Sequence, residues 1–138
     1  MRDTKSTVLY RWFNEVWNND DENAIEDLMT DKAFAHGIII DNDLHGAEGF
    51  KKYFNDFRSQ FQDVHIEVND VVAEDDMESA RTVVRATHIP TGRPVTFGGI
   101  CMARIENGKI AEAWNHYDFL EMYQQIGQML VPAEGLAD

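Results

Sequence analysis

The sequence has little cysteine, little proline and few basic residues. Its 138 residues include one cysteine and three prolines, and 12 Lys and Arg face 25 Asp and Glu, for a net charge of −13. The single cysteine, Cys101, excludes an intrachain disulfide and suits a reducing compartment. Nucleic acids and anionic membrane surfaces carry the same sign of charge as the protein, so we expect neither as a partner.

Long apolar runs are also missing. No stretch approaches the length of a membrane span, and residues 1–5 lead into an amphipathic pattern instead of the apolar segment of a signal peptide. We therefore expect a cytoplasmic protein that does not associate with a membrane. The five histidines are scattered, and glycine-rich phosphate or dinucleotide loops do not occur, so the sequence predicts no metal and no cofactor.

The apolar residues that are present follow helical spacing in the first half of the chain. Residues 5–18 and about 24–29 predict two helices, the second one short. Residues 46–61 predict a third helix, which carries an aromatic stripe made of Phe50, Tyr53, Phe54, Phe57 and Phe61. The length fits one domain, residues 1–131, followed by a tail, residues 132–138, that we expect to be mobile.

Strand signals dominate the second half. One short strand is predicted at 34–40, with a turn at 41–43, and four more at 64–73, 80–89, 94–105 and 109–117. Residues 74–78 are expected to form an acidic turn, Asn107-Gly108 predicts a tight hairpin, and Gly98-Gly99 suggests a bulge or bend. A closing helix follows, with Leu120, Tyr123, Ile126 and Leu130 on one face. The fold class is therefore α+β.

Several strings in this order resemble the SnoaL-like polyketide cyclases of the nuclear transport factor 2-like superfamily. They extend over nearly the whole chain and comprise residues 13–18, Phe34-Ala35-His36-Gly37, residues 46–50, Thr87-His88 with residues 90–95, residues 104–114, Asp118 and residues 125–127. The resemblance implies a cone-shaped barrel, in which a strongly curved mixed or antiparallel sheet wraps around about three N-terminal helices, with a short C-terminal helix.

The resemblance also implies a general acid/base at the end of the last strand. Asp118 matches the acidic position, whereas Asn115 stands where relatives often have a second acid. An Asp between a strand and a helix is equally typical of a helix N-cap, so both roles remain open. Strand alternation places Glu112, Trp114, His116 and Asp118 on one face, and Ala113, Asn115 and Tyr117 on the other. For Glu112 we favour an ion pair with Arg85 or Arg104.

The candidate site residues divide into two groups. The candidate catalytic residues comprise Asp118 as the acid/base, together with His116 and Asn115. His116, Asn115 or Tyr53 would orient the substrate oxygen. The expected ligand-binding residues are Trp17, His36, Tyr53, Phe54, Phe57, His88, Trp114 and Tyr117. The aromatic residues would serve equally as plain core, the histidines as structural residues, and Cys101 as an inert buried thiol.

Two functional hypotheses follow. One is a cofactor-free cyclase or isomerase that uses a pocket carboxylate on a small, largely apolar carbonyl substrate. The other is a non-catalytic small-molecule-binding domain, which Asn115 favours; a hydrolase of the limonene-epoxide type is a weaker third option. The outer face of the sheet is expected to pair two copies into a homodimer, as in relatives.

Overall fold

The computed structural model describes residues 4–39 and 42–133. A 3-10 turn, Thr4–Ser6, leads into helix α1, Val8–Arg11, which continues as a π-helix, Trp12–Asn18. The Thr7 hydroxyl caps α1 by accepting the Tyr10 N–H at 3.3 Å. This helical segment buries its apolar stripe, which consists of Leu9, Trp12, Phe13, Val16 and Trp17. The prediction of a first helix is confirmed; its π-helical half was not predicted.

One short helix and two strands connect the first helix to the third. Helix α2, Ala24–Leu28, runs directly into strand β1, Met29–Ile39, which starts well before the predicted residue 34. Strand β2, Asn42–His45, occupies the predicted turn and pairs antiparallel with β1. Residues 40 and 41, at the end of the predicted strand and in the predicted turn, lie outside the described residues.

Helix α3, Gly46–Gln60, agrees with the predicted third helix to within one residue. Gly46 has a φ of +72°, and a Cβ there would stand 2.3 Å from the Asp31 carbonyl oxygen, so the close approach of α3 to β1 requires glycine. The helix buries Phe50 and Phe54, and both rings contact Trp17 of the π-helix. Phe61, predicted as the last member of the aromatic stripe, is instead the first residue of the following strand.

The sheet has six strands in the order β2-β1-β6-β5-β4-β3. The remaining strands are β3, Phe61–Glu74, β4, Met77–His88, β5, Pro94–Glu106, and β6, Lys109–Tyr117. All neighbours are antiparallel except β1 and β6, which are parallel. This curved, unclosed mixed sheet holds the helices on its concave face, which confirms the α+β class and the expected architecture.

The predicted hairpin at Asn107-Gly108 is confirmed, whereas the features predicted at Gly98-Gly99 and at residues 74–78 differ from the structure. Asn107 and Gly108 both have positive φ and connect β5 to β6, as the tight hairpin requires. The pairing of β5 with β4 passes through Gly98 and Gly99 without a shift, so of the two expected possibilities, a bulge or a bend, the bulge is wrong. Glu78, assigned to the predicted acidic turn, instead lies in β4 and is 3% exposed. Its carboxylate accepts the N–H groups of Val8 and Leu9.

Helix α4, Phe119–Gln125, closes the chain and is shorter than predicted. The Gln125 amide accepts the Thr96 N–H at 2.7 Å and donates to the Thr96 carbonyl at 2.8 Å, which fastens α4 to β5. Leu130, expected on this helix, lies beyond it and is 77% exposed. Most of the predicted mobile tail, residues 134–138, lies outside the described residues. In the described part of the chain, no helix has the length and apolar character needed to cross a membrane.

Candidate functional site

The concave side of the sheet encloses a funnel-shaped space in two parts. The inner chamber has a volume of about 60 Å³ and lies among the helices, strand β1 and strands β3 to β6. An outer cavity of about 400 Å³ lies between α3, α4 and the start of β3. The two parts share four lining residues, namely Ile38, Tyr53, Phe57 and Phe119. We therefore treat the outer cavity as the mouth of the inner chamber.

Aromatic rings form much of the wall of the inner chamber. The indole of Trp17, on the π-helix, contacts four rings of α3, with centroid distances between 5.0 and 6.3 Å, and these belong to Phe50, Tyr53, Phe54 and Phe57. Trp17, Tyr53 and Phe57 line the chamber as expected, whereas Phe54 is buried without lining it. The rings pack mostly edge to face, an arrangement that fixes the shape of the wall.

Three polar side chains in the inner chamber carry oxygen or nitrogen at their tips: Tyr53, Asn115 and Tyr117. Asn115 is 8% exposed, and its Nδ2 donates to the His36 carbonyl at 2.9 Å. This bond connects β6 to β1 and fixes the orientation of the amide. The inward face of β6 is thus the one that carries Asn115 and Tyr117.

Burial controls the protonation of the two hydroxyls and the thiol that line the chamber. Desolvation raises the pKa of the Tyr53 hydroxyl, with a smaller contribution from Tyr123. Desolvation likewise raises the pKa of the Tyr117 hydroxyl, although a hydrogen bond to Thr82 partly opposes it. The pKa of the Cys101 thiol is raised to about 12, again mainly by burial. All three groups are therefore neutral near pH 7, and the two phenols are hydrogen-bond donors.

The mouth carries a different set of polar groups. Its lining includes the side chains of Gln60, His88, Tyr123 and Gln128. His88 Nδ1 lies 2.9 Å from Thr91 Oγ1, and its ring contacts Phe61 at 5.1 Å. Tyr123 belongs to the apolar stripe predicted for the closing helix, but Gln60 and Gln128 carry no sequence signal that distinguishes them from surface residues.

The other candidate residues of β6 lie on the outward face of the sheet. His116 is exposed, and Trp114 stacks on His36 with ring centroids 5.8 Å apart. Glu112 pairs with His36 at 2.8 Å and with Arg104 at 3.9 Å, in line with the favoured ion pair. None of these side chains lines the chamber or the mouth.

Asp118 also lies outside both cavities. It is exposed and forms the N-cap of α4, where its Oδ1 accepts the Glu121 N–H at 3.0 Å. The expected catalytic set of Asp118, His116 and Asn115 is therefore not brought together, because only Asn115 faces the chamber. Across residues 4–39 and 42–133, neither cavity is lined by an Asp or Glu. Within the same described ranges, no cluster of His, Cys, Asp or Glu is suited to hold a metal ion.

Comparison with known proteins agrees with this architecture. The profile of the family described as SnoaL-like polyketide cyclase matches residues 7–126. IdmH, a putative polyketide cyclase from Streptomyces antibioticus, is 26% identical, with a TM-score of 0.78 over 91% of this chain and 100% of its own. A putative polyketide cyclase from Bacillus cereus is 26% identical, with a TM-score of 0.78 over 89% of this chain and 80% of its own.

A more distant neighbour supports the fold alone. A hypothetical protein from Catenulispora acidiphila with a ketosteroid isomerase-like fold has a TM-score of 0.81 at 16% identity, over 95% of this chain and 98% of its own. No functionally curated protein matches the sequence. Because the family profile extends over most of the chain and the fold agrees, the protein belongs to the SnoaL-like polyketide cyclase family.

Proposed function

We propose that the protein is a cofactor-free enzyme of the cyclase or isomerase type, which acts on a small, largely apolar carbonyl compound bound in the funnel. The observation that carries this proposal is an apolar chamber with two partly buried phenols, Tyr53 and Tyr117, inside a SnoaL-like domain. Apolar pockets with a few convergent polar groups are the usual form of a small-molecule site.

The two phenols suit the stabilisation of a developing oxyanion. Removal of a proton from a carbon next to a carbonyl leaves negative charge on the carbonyl oxygen, and a neutral hydroxyl donates a hydrogen bond to that oxygen. Because the pKa of each phenol is raised by burial, both keep their protons under the conditions of the reaction. Fixed donors in a water-poor site act in this way in many enzymes.

The lining also limits the charge of the substrate. In the described part of the chain, no Asp, Glu, Lys or Arg lines the chamber or the mouth. A charged ligand would lose its hydration without gaining an ionic partner, which is costly in free energy. We therefore infer an uncharged substrate, and the many acidic residues serve the solvated surface.

Exchange of α-protons tests this function without knowledge of the natural substrate. The ketone 2-tetralone is small, apolar and uncharged, and in D2O its α-protons exchange through the enolate. We expect the protein to accelerate this exchange, followed by proton NMR, and Tyr53→Phe to slow it by about a hundredfold, since one oxyanion donor is lost. Tyr10→Phe, outside both cavities, should exchange at the wild-type rate.

A second candidate function is a non-catalytic binding domain of the same fold. Two observations favour it: Asn115 cannot accept a proton, and Asp118 caps α4 instead of lining the chamber. This candidate predicts that 2-tetralone quenches tryptophan fluorescence through the wall residue Trp17 while its α-protons exchange no faster than in buffer.

The cytoplasm remains the proposed compartment, because a lone buried cysteine suits a reducing environment.

A further inference from the structure

We propose that His88, at the mouth of the funnel, is the group that removes and returns the proton. This inference rests on the proposed function and deepens it by naming the general acid/base. The family resemblance implies Asp118 for that role, but its carboxylate lies outside both cavities and is engaged in capping α4. His88 is the one histidine whose side chain lines either cavity, among those described, and imidazole is the side chain that most often serves as a general acid/base.

The backbone around His88 is held on both sides. Its N–H donates to the Arg93 carbonyl at 2.8 Å, and its carbonyl accepts the Gly92 N–H at 2.8 Å. Across the sheet, His88 pairs with Phe61, the first residue of β3. These contacts fix the backbone of His88, and the Thr91 hydroxyl and the Phe61 ring contact the imidazole itself, so the ring is held at the mouth as a catalytic base requires.

The two ring nitrogens have different surroundings. Nδ1 lies 2.9 Å from the Thr91 hydroxyl, whose oxygen also accepts the Arg93 N–H at 3.3 Å. A hydroxyl can accept from Nδ1–H or donate to bare Nδ1, so Thr91 tolerates either protonation state of the ring. Within the described ranges, Nε2 has no hydrogen-bond partner, and it is therefore the nitrogen open to a substrate.

The neighbours of His88 in the mouth are uncharged. From α3 come Gln60 and Phe57, from β3 Phe61, and from α4 and the following turn come Met122, Tyr123, Ile126 and Gln128. Arg93, two residues beyond Thr91, bonds through its backbone to the turn that holds the ring. Its guanidinium lies beside Gly127, where an added Cβ would stand 2.8 Å from Nη1, so the charged group next to the mouth is a cation. This set contains no carboxylate that would bind the imidazole in place of a substrate.

The chemistry balances with His88 and the phenols alone. Nε2 takes a proton from the carbon next to the carbonyl, and the C–H electron pair forms the C=C bond of the enolate as the carbonyl π pair moves to oxygen. Tyr53, which lines both the chamber and the mouth, donates to that oxygen. The imidazolium then returns the proton to carbon in an isomerisation, or to the new alkoxide when the enolate carbon closes a ring on a second carbonyl.

The α-proton exchange of 2-tetralone separates this inference from the proposed function. We expect His88→Gln to slow exchange by at least about a hundredfold, as loss of a general base typically does. His65→Gln is the matched control, because His65 is exposed on β3 and lines neither cavity. Binding of 2-tetralone, measured by tryptophan fluorescence, should change by less than about twofold in either variant, since removal of the base leaves the apolar chamber intact.

The alternative outcomes have distinct meanings. Wild-type exchange rates in His88→Gln, together with slow exchange in Tyr53→Phe, would overturn the role of His88 and leave the proposed function standing. A wild-type protein that binds 2-tetralone without accelerating exchange would overturn both. Fast exchange in the wild type and the His65→Gln control, with slow exchange in His88→Gln at unchanged binding, is the result that supports the proposal.

Discussion

The ring of Tyr117 lies directly over Gly99 of the neighbouring strand, and a Cβ at Gly99 would stand 2.1 Å from the Cδ1 of that ring. Gly99 and Tyr117 are also paired across β5 and β6. The glycine therefore makes room for one of the two chamber phenols. At the adjacent Gly98, by contrast, an added Cβ would meet only the Thr82 carbonyl oxygen, at an ordinary 3.6 Å.

This relationship predicts different outcomes for two neighbouring substitutions. Gly99→Ala must displace the Tyr117 ring, so we expect a loss of about 1–3 kcal/mol in the free energy of unfolding and weaker binding of 2-tetralone. Gly98→Ala should cost less than about 1 kcal/mol and leave binding unchanged. Urea unfolding and fluorescence titration measure both. Equal effects at the two positions would contradict the assigned role of Gly99.

The role of Asp118 can be decided by two variants. As the N-cap of α4, it should lose about 0.5–2 kcal/mol of unfolding free energy on substitution to Ala, and almost none on substitution to Asn, which caps equally well. Exchange of 2-tetralone should proceed at the wild-type rate in Asp118→Asn. Abolished exchange in a fully stable Asp118→Asn protein would instead restore Asp118 as the acid/base.

Much of the fold was predictable because its signals are local. Helical stripes, strand alternation and the Asn107-Gly108 hairpin all depend on neighbouring residues. The site was less predictable, because the face of β6 that points inward depends on its register with β5, where a one-residue shift reverses every side chain. Asp118 is ambiguous for another reason: a pocket acid and an N-cap require the same residue type at the same junction.

The buried carboxylate of Glu78 should be important for stability. It accepts hydrogen bonds from the N–H groups of Val8 at 3.1 Å and Leu9 at 2.8 Å. Strand β4 thus supplies the hydrogen-bond acceptor for the start of α1, 69 residues earlier in the chain. We expect Glu78→Gln to lower the free energy of unfolding by about 1–3 kcal/mol, because charged acceptors bond more strongly than amides. Glu74→Gln, exposed on β3, should change it by less than about 0.5 kcal/mol. Thermal and urea unfolding of the two variants and the wild type measure these changes in the free energy of unfolding.

Stability should fall at alkaline pH. The pKa of Cys101 is raised from 9.0 to about 12, and those of Tyr53 and Tyr117 are raised above 10.0, all mainly by burial. The unfolded chain thus releases these protons from about pH 9 upward while the folded chain retains them, so unfolding becomes easier as pH rises. Between about pH 8 and about pH 11, the free energy of unfolding in urea should fall less for Tyr53→Phe than for Tyr10→Phe, because Tyr53→Phe removes one of the three groups whose pKa is raised by burial.

The outer face of the sheet should form the interface of a homodimer. Ile100, Met102 and Phe34 are 50%, 45% and 42% exposed there, beside the stacked pair of His36 and Trp114. We expect light scattering to give twice the chain mass, and Met102→Glu to give the monomer, since a charge would be buried between the copies. Leu120→Glu, equally exposed but on α4, should remain dimeric. A monomeric wild type at micromolar concentration would refute the interface.

The parallel pairing of β1 with β6 has a consequence for synthesis on the ribosome. Met29 and Phe34 find their partners at Ile110 and Glu112, so β1 has only the short β2 beside it until nearly the whole chain has been made. An emerging N-terminal half would expose one edge of β1 and the aromatic stripe of α3. Such long-range pairing delays folding and leaves a strand edge and apolar surface exposed until synthesis is nearly complete. We therefore expect the nascent chain to need chaperones.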